Sequence, residues 1–324
     1  MAAKVRLKIA VAEYPHTAAV RNGSIPIEGV DAEIVTVEPQ IAAFRRMVRQ
    51  VEFDVCELAP TTYIIARAHG APFVALPIFV LRRFHHAGLL VRPDSGIKTP
   101  KDLEGRKVGV RAYSVTTGVW TRAVLIDEYG LDSSQVTWVV DDEEHVTQLQ
   151  LPSNVIHTPP GRSLADMMAD GELAAGFHGN AGVGRSGSPT GGWKIVEAHY
   201  PDLFPNAEAL EADWYQRTGI YPMHGTIVVK DSVLAEHPWV AQSLFKAFSQ
   251  AKDEWLERLD TSEPKNASDQ KYAKLRKVVG DPLPYGMAAN LKTIEALADT
   301  AFKQKLTPRK MRIEELFIDP EQSR

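Results

Sequence analysis

The chain of 324 residues has a single cysteine, Cys56, so it closes no internal disulfide and builds no thiolate zinc site. Its stability must come from a hydrophobic core. Long apolar runs are also missing. The longest, Ala71 to Leu81, contains Pro72 and Pro77 and ends at Arg82 and Arg83, well short of the ~20 apolar residues of a membrane-spanning helix. Neither charge sign dominates: 37 Lys and Arg against 41 Asp and Glu leave a formal net charge of −4. That balance offers no general attraction for nucleic acid or an anionic membrane, so neither is expected as a partner and any anion site must be local. The sequences GxSxG, the Walker loop and HExxH are absent, which removes the ordinary signatures of hydrolases, ATPases and zincins. Met1-Ala-Ala-Lys4 leads directly into strand-like residues without an apolar leader, and the expectation is a cytoplasmic protein.

What remains is an ordinary globular composition, 44% hydrophobic and 24% charged, with a length that suits about two domains of ~150 residues each. Strand-like alternation over 5–11 and 31–38 brackets the opening of the chain, and the spacing of Ile41, Phe44 and Val48 predicts a helix over 39–50. A short apolar strand, 53–58, gives way at Pro60 to a second predicted helix. Strands follow at 73–81 and 89–91, and Arg92-Pro-Asp-Ser-Gly96 is a turn-rich break suited to a domain crossing. The pattern then restarts: strands at 108–110, 136–140 and 173–177 alternate with helices at 115–129 and 164–168, which argues for an α/β sheet. Helices at 207–218, 239–259, 270–279 and 287–302 and a strand at 226–230 complete the chain.

Gly109-Val-Arg111-Ala-Tyr113-Ser114-Val-Thr116-Thr117-Gly118 lies where a strand ends and a helix begins. Free backbone N–H groups there favour an anion. Arg111, Ser114, Thr116 and Thr117 add donors, and together they make a candidate carboxylate site, against the plainer alternative of helix capping by Ser114. Arg82-Arg83-Phe84-His85-His86 ends another apolar strand. If it faces a cleft, Arg82 suits a bidentate carboxylate contact and His86 suits proton donation near neutral pH. Adjacent histidines on a strand point apart, so no metal is assigned to them, and no cofactor is expected. His178 and His224 each stand at a strand end beside glycine, and Glu57 ends a strand beside Thr61 and Thr62. Asp141-Asp-Glu-Glu-His145 reads as solvated charge. Gly182-Val-Gly184-Arg-Ser-Gly187 has GxGxxG spacing, but Ser188-Pro-Thr-Gly-Gly192 follows in place of a helix, so it is not a dinucleotide site; 179–192 reads as a flexible loop.

Taken together, several segments carry a resemblance. They are Phe53-Asp-Val-Cys-Glu-Leu58, Gly109-Val110 with Tyr113, Thr116 and Trp120, Arg217-Thr-Gly-Ile-Tyr-Pro222, Asp281 with Pro284-Tyr-Gly286, and Leu306-Thr-Pro-Arg309 leading to Glu314-Glu-Leu-Phe317. Over nearly its whole length the chain resembles the 4,5-dihydroxyphthalate decarboxylase family, which is built on the type 2 periplasmic-binding-protein fold. The resemblance implies two α/β lobes joined by two crossings, residues 1–93 with 196–324 forming the first and 94–195 the second, with a small aromatic carboxylate bound in a cleft between them. A homo-oligomer is compatible with it. It implies His86 or His224 as proton donor and Glu57 as partner of a phenolic hydroxyl. The expected substrate contacts are Arg82, Arg111, Tyr113, Ser114, Thr116, Thr117, Thr61, Thr62, His178 and Tyr285.

Departures from the family pattern are specific. Pro222-Met-His-Gly225 stands where the family has Pro-Ile-Met-His, so His224 is displaced by one position, which on a regular strand reverses its face. Phe177-His-Gly-Asn180 replaces an Ala-Pro-Arg-like run, and Ala288 stands where an acidic residue is expected. The expectation is decarboxylation of 4,5-dihydroxyphthalate or a related hydroxybenzoate. The rivals are a non-catalytic solute-binding protein of the same fold and a relative of thiamine-precursor synthases, for which the sequence offers no strong iron-ligand cluster.

Overall fold

Val5, Leu7 and Ile9 alternate with Arg6 and Lys8, and this period of two becomes the first strand, β1 (Val5–Ala10). The computed structural model describes residues 4–186, 194–197 and 199–322. β2 (Val30–Ile34), β3 (Val55–Leu58), β4 (Phe73–Arg82) and β5 (Leu89–Val91) follow. Next come β6 (Lys107–Gly109), β7 (Thr137–Val140), β8 (Val155–His157), β9 (Ala175–Phe177), the short pair β10 (Arg185–Ser186) and β11 (Lys194–Ile195), and β12 (Met223–Lys230). The helices are α1 (Ala18–Arg21), α2 (Gln40–Gln50), α3 (Pro60–Ala68), α4 (Thr116–Tyr129), α5 (Leu164–Ala169), α6 (Ala207–Thr218), α7 (Asp231–Glu236), α8 (Val240–Thr261), α9 (Ala267–Val279), α10 (Leu291–Lys303) and α11 (Ile313–Leu316).

The chain divides into two units. The first comprises the chain up to Arg83, Thr218–Asp299 and the residues from Arg309 onward; the second comprises Phe84–Arg217 and Thr300–Pro308. The divisions expected from the sequence, at 93/94 and 195/196, lie elsewhere. Turn-rich composition at Pro93 marks a turn, η-helical over Pro93–Ser95, whereas the change of unit comes at the end of the long strand β4.

In the first unit the sheet order is β2-β1-β3-β12-β4. β1 runs parallel to β2 and β3, and β12 runs antiparallel to β3 and β4, so β1, β3 and β4 share one direction. α8 covers this sheet with a stripe of Val240, Leu244, Ala247, Phe248 and Ala251 at helical spacing, packed with Leu7, Ile9, Val55, Ile78, Val80, Ile227 and Val229. Each such aliphatic side chain contributes about 1.5–3 kcal/mol when taken from water. In the second unit the order is β5-β9-β6-β7-β8, parallel except for β5. Its core gathers Leu90, Val139, Leu164, Met167, Met168, Leu173 and Val183.

β8 and α11 were not anticipated: three strand residues, two of them exposed, or one helical turn, are too short to show a period. Gly187–Gly192, the end of the glycine-rich stretch, lies outside the described residues. Among the described residues no helix is long and apolar enough to cross a membrane.

Candidate functional site

Because β1, β3 and β4 run the same way, the residues after them gather at one end of the first unit's sheet, where β12 begins. Open α/β sheets hold ligands at such carboxyl ends. Glu57, the third residue of β3, is 1% exposed. Its carboxyl accepts the Ala12 N–H at 3.0 Å and the Tyr14 hydroxyl at 2.8 Å. Burial pushes its pKa up to about 6, opposed by those two donors and by Arg21. Gly225 makes room for this group: a Cβ there would stand 2.9 Å from Glu57 Oε1 and 3.2 Å from Leu81 Cβ.

The Tyr14 ring lies parallel to His16, with centroids 5.3 Å apart, and Tyr272 meets His16 edge-on at 5.9 Å. His16 Nε2 is 2.7 Å from the Val80 carbonyl, which can only accept, so Nε2 carries the proton. Burial lowers the His16 pKa to about 4, and the ring is neutral at physiological pH. Arg83 Nη2 is 2.9 Å from His224 Nε2. A guanidinium only donates, so this nitrogen accepts, and the neutral His224 ring holds its proton on Nδ1. The register explains how His224 reaches Arg83: Met223 faces Arg82 and Gly225 faces Leu81, so two steps on β12 match one on β4. The extra residue is His224. Such a bulge re-aims a side chain, and the reversal of face expected for a regular strand does not follow from the one-residue displacement.

Arg82 requires a correction. It is fully buried, and its guanidinium donates to the Tyr221 carbonyl at 2.6 Å, to the Pro284 carbonyl at 3.3 Å and to Asn290 Oδ1, with the Phe79 ring 4.7 Å away. Its donors hold the interior together and leave no fork for a carboxylate; Arg83, one position on, is half-buried with its Nη2 turned to His224. Thr61 and Thr62 are buried in the first turn of α3. Tyr285 is half-buried against the core of the first unit, with Lys252 Nζ 5.2 Å from its ring centroid.

The second unit corrects the anion site and the acidic run together. The N–H groups of Tyr113 and Ser114 point to a carboxylate from the same chain: Tyr113 N donates to Glu144 Oε1 at 2.6 Å, Ser114 N reaches both oxygens at 3.3 Å, and Ser114 Oγ also donates. Asp142 pairs with Arg111 at 3.0 Å and Asp141 with Arg185 at 2.6 Å, all four side chains being at most 5% exposed. The run read as solvated charge is thus the internal counter-charge of this unit. Tyr113 lays its ring 4.0 Å from the Arg122 guanidinium carbon, a packing role. Val115, not Ser114, precedes the first helical residue of α4; Thr116 is buried and Thr117 half-exposed.

His86 also belongs to the second unit. Its ring packs against Trp214 at 5.5 Å and Phe204 at 6.3 Å, and burial lowers its pKa to about 4. Burial among these aromatic rings leaves no imidazolium at His86 near neutral pH, so the expected donor role is withdrawn. Beside it, Glu211 accepts the His86 N–H at 3.3 Å and is pushed up to about 7 by burial. His178 follows β9 and is exposed. Among the described residues no group of three or more His, Cys, Asp or Glu could hold a metal ion.

The first unit therefore brings Glu57 and His224 together with Tyr14, His16, Arg83 and Tyr272, which the sequence reading did not single out. The position of Tyr14-Pro15-His16 immediately after β1 was the available signal, since that loop must lie at the carboxyl end of the sheet.

Known proteins resemble this chain along most of its length. A protein of Comamonas testosteroni named 4,5-dihydroxyphthalate decarboxylase is 32% identical over 330 residues, covering 97% of this chain and 96% of that protein. A Pseudomonas putida protein of the same name is 36% identical over 180 residues, 53% of this chain and 69% of that protein. Residues 27–181 match the family described as ABC transporter, phosphonate, periplasmic substrate-binding protein. The alkanesulfonate-binding protein SsuA from Xanthomonas axonopodis pv. citri, solved bound to MOPS, superposes with a TM-score of 0.52 at 15% identity, covering 98% of this chain and 99% of that chain. The fold is that of periplasmic-binding-protein-like solute-binding proteins.

Proposed function

The chain belongs to the 4,5-dihydroxyphthalate decarboxylase family, and from that premise we propose that it removes CO2 from a hydroxylated aromatic carboxylate, 4,5-dihydroxyphthalate or a related hydroxybenzoate. Direct loss of CO2 would leave an aryl carbanion. The ring carbon bearing the carboxylate is therefore protonated first, with electron donation from the hydroxyl para to it; the C–C bond then breaks, its electron pair restores the ring, and CO2 leaves. This chemistry needs a proton donor, a partner for the phenolic hydroxyl and a cation for the carboxylate.

The observation that carries the reading is the meeting of Glu57, Tyr14, His224 and Arg83 at one sheet end. Arg83 is the carboxylate partner; when the substrate carboxylate takes its guanidinium, His224 Nε2 is released to accept a proton, and the resulting imidazolium delivers a proton to the ring carbon. Glu57, held near 6, exchanges a proton with the phenolic hydroxyl of the substrate through Tyr14. Incubation with a panel of hydroxylated phthalates and benzoates, followed by CO2 release and ring absorbance, tests this. Turnover of at least one of them is expected. Binding of a panel member without CO2 release would instead favour a solute-binding protein, the reading that the phosphonate-binding match over 27–181 suggests.

A further inference from the structure

The loop after β1 grips Glu57 with two donors, the Ala12 N–H on Oε2 and the Tyr14 hydroxyl on Oε1. Thr17, fully buried, closes that loop on itself: its Oγ1 accepts the Tyr14 N–H at 2.9 Å and donates to the Ala12 carbonyl at 2.9 Å. Closure fixes a backbone N–H, but a tyrosine hydroxyl stands beyond two rotatable side-chain bonds and needs a hold of its own. His16 is placed to supply it. Its ring stacks on that of Tyr14 with 3° between the planes, and Trp255 of α8, 5.2 Å away, and Tyr272 of α9 also lie against it. The ring is fully buried and is tied to β4 by Nε2–H donation to the Val80 carbonyl at 2.7 Å. Packed against three aromatic rings and tied at one corner to a strand, it has little freedom to turn.

We propose that His16 is a positioning residue: tied to β4 and stacked on Tyr14, it keeps the Tyr14 hydroxyl on Glu57, and it acts on proton exchange at Glu57 only through that hydroxyl. The residue type fits the task. Phenylalanine would stack without the tie to Val80, and glutamine would make the tie without stacking; a neutral imidazole does both. The inference rests on the decarboxylase reading for what Glu57 does, and it gives a part to a buried histidine that the proton-transfer steps themselves do not use.

The expected effect has a definite sign. The Tyr14 donor favours the charged form of Glu57 against burial. Its loss leaves burial less opposed, and Glu57 titrates higher, by about one pH unit for a donor to a charged group. A site merely loosened would admit water, and Glu57 would titrate lower. The other groups around the pair hold their charge near pH 6. Arg21 on α1 favours the carboxylate, and burial keeps the Cys56 thiol on β3 and the Tyr272 hydroxyl on α9 protonated. Tyr14, raised by burial and by Glu57 against the pull of Arg83, keeps its proton. β12 sets Gly225, which has no side chain, against Glu57. His16, lowered to about 4 by burial, with Lys271 on α9 and Lys252 on α8 acting in the same direction, is neutral throughout the Glu57 titration.

Carboxyl carbon NMR titration of the full chain, without substrate, reads the Glu57 pKa directly. Tyr14→Phe should raise it by about one unit. His16→Gln, which keeps a donor for Val80 but no ring, should raise it as much, and His16→Phe, which keeps the ring but no donor, by less. In the Tyr14→Phe background neither should add a further shift, because the hydroxyl through which His16 acts is gone. A Glu57 pKa unchanged or lowered in His16→Gln, or a further shift when it is combined with Tyr14→Phe, would overturn the inference; if His16→Gln does not fold, the same two outcomes in His16→Phe overturn it. In steady-state kinetics the limb of kcat set by Glu57 should move with that pKa while KM holds. The expected NMR shifts with no CO2 released from any hydroxylated phthalate or benzoate would leave the positioning role standing and remove the decarboxylase reading; CO2 release with a Glu57 pKa indifferent to His16 would do the opposite.

Discussion

The Tyr14 hydroxyl donates to Glu57 Oε1 at 2.8 Å, joining a residue of the loop after β1 to the buried carboxyl of β3 across 43 positions of sequence. The bond favours the charged carboxylate, and so does the Ala12 N–H, yet burial outweighs both and leaves Glu57 at about 6. Its carboxyl thus changes charge close to neutral pH, where proton exchange is efficient.

Replacing Glu57 should separate stability from activity. Its pKa in the folded chain is above the ordinary 4.5, so the charge penalty is absent below pH 4.5, where both folded and unfolded states are protonated, and sets in as pH rises from 4.5 through about 6. A shift of this size corresponds to about 2 kcal/mol. Glu57→Gln removes the charge and keeps the shape, with its single oxygen left to accept from either Tyr14 or Ala12. Thermal melts should show the variant more stable than wild type at pH 8 by up to about 2 kcal/mol and equal to it at pH 4, while CO2 release drops about a hundredfold. A lower melting temperature at pH 8 would contradict the burial argument.

Arg82 and Arg83 should respond oppositely to truncation. Arg82→Met strands the Tyr221 and Pro284 carbonyls and Asn290 in the interior, and unfolding should become easier by about 3–5 kcal/mol. Arg83→Met should leave the melting temperature within a few degrees and raise KM for the carboxylate substrate. Denaturant titration beside steady-state kinetics distinguishes the two; a raised KM confined to Arg82→Met would reverse the assignment.

The two histidines named from the sequence should also part company. His86→Phe preserves an aromatic ring among Trp214 and Phe204 and should retain most activity. His224→Ala should reduce CO2 release about a hundredfold or more. Full CO2 release by His224→Ala would show that it is not the proton donor.

Asp142 tests the internal counter-charge of the second unit. With side chains 5% and 3% exposed, Arg111 and Asp142 compensate each other away from water. Asp142→Ala leaves the guanidinium buried beside Arg185, which already opposes its charge, and should cost about 3–5 kcal/mol. A variant as stable as wild type in urea would mean that water reaches Arg111.

The elements were legible in the sequence where a period could be counted. The helix at 207–218 and the strand at 89–91 are found as expected, and α4 begins one residue later than its apolar pattern suggested. The acidic run carries no mark of burial in the sequence because its partners are remote: Arg111 lies 31 residues before Asp142, and Arg185 lies 44 after Asp141. Only the parallel pairing of β6 with β7 carries the residues that follow them to the same place.

The sequence by itself determined the α/β alternation, the family and the placing of Glu57 and His224 at strand ends, because composition, short-range periodicity and contiguous motifs are properties of the chain before it folds. Tertiary structure decided which of Arg82 and Arg83 is spent in the core, since neighbours on a strand point to opposite faces and only the covering elements choose which face is buried. It also decided that Glu144 satisfies the Tyr113 and Ser114 amides and that a bulge brings His224 to Arg83. Each of these depends on burial and on charges brought close across long stretches of sequence, and the strength of an electrostatic interaction is set by distance and by exclusion of water, neither of which is written in residue order.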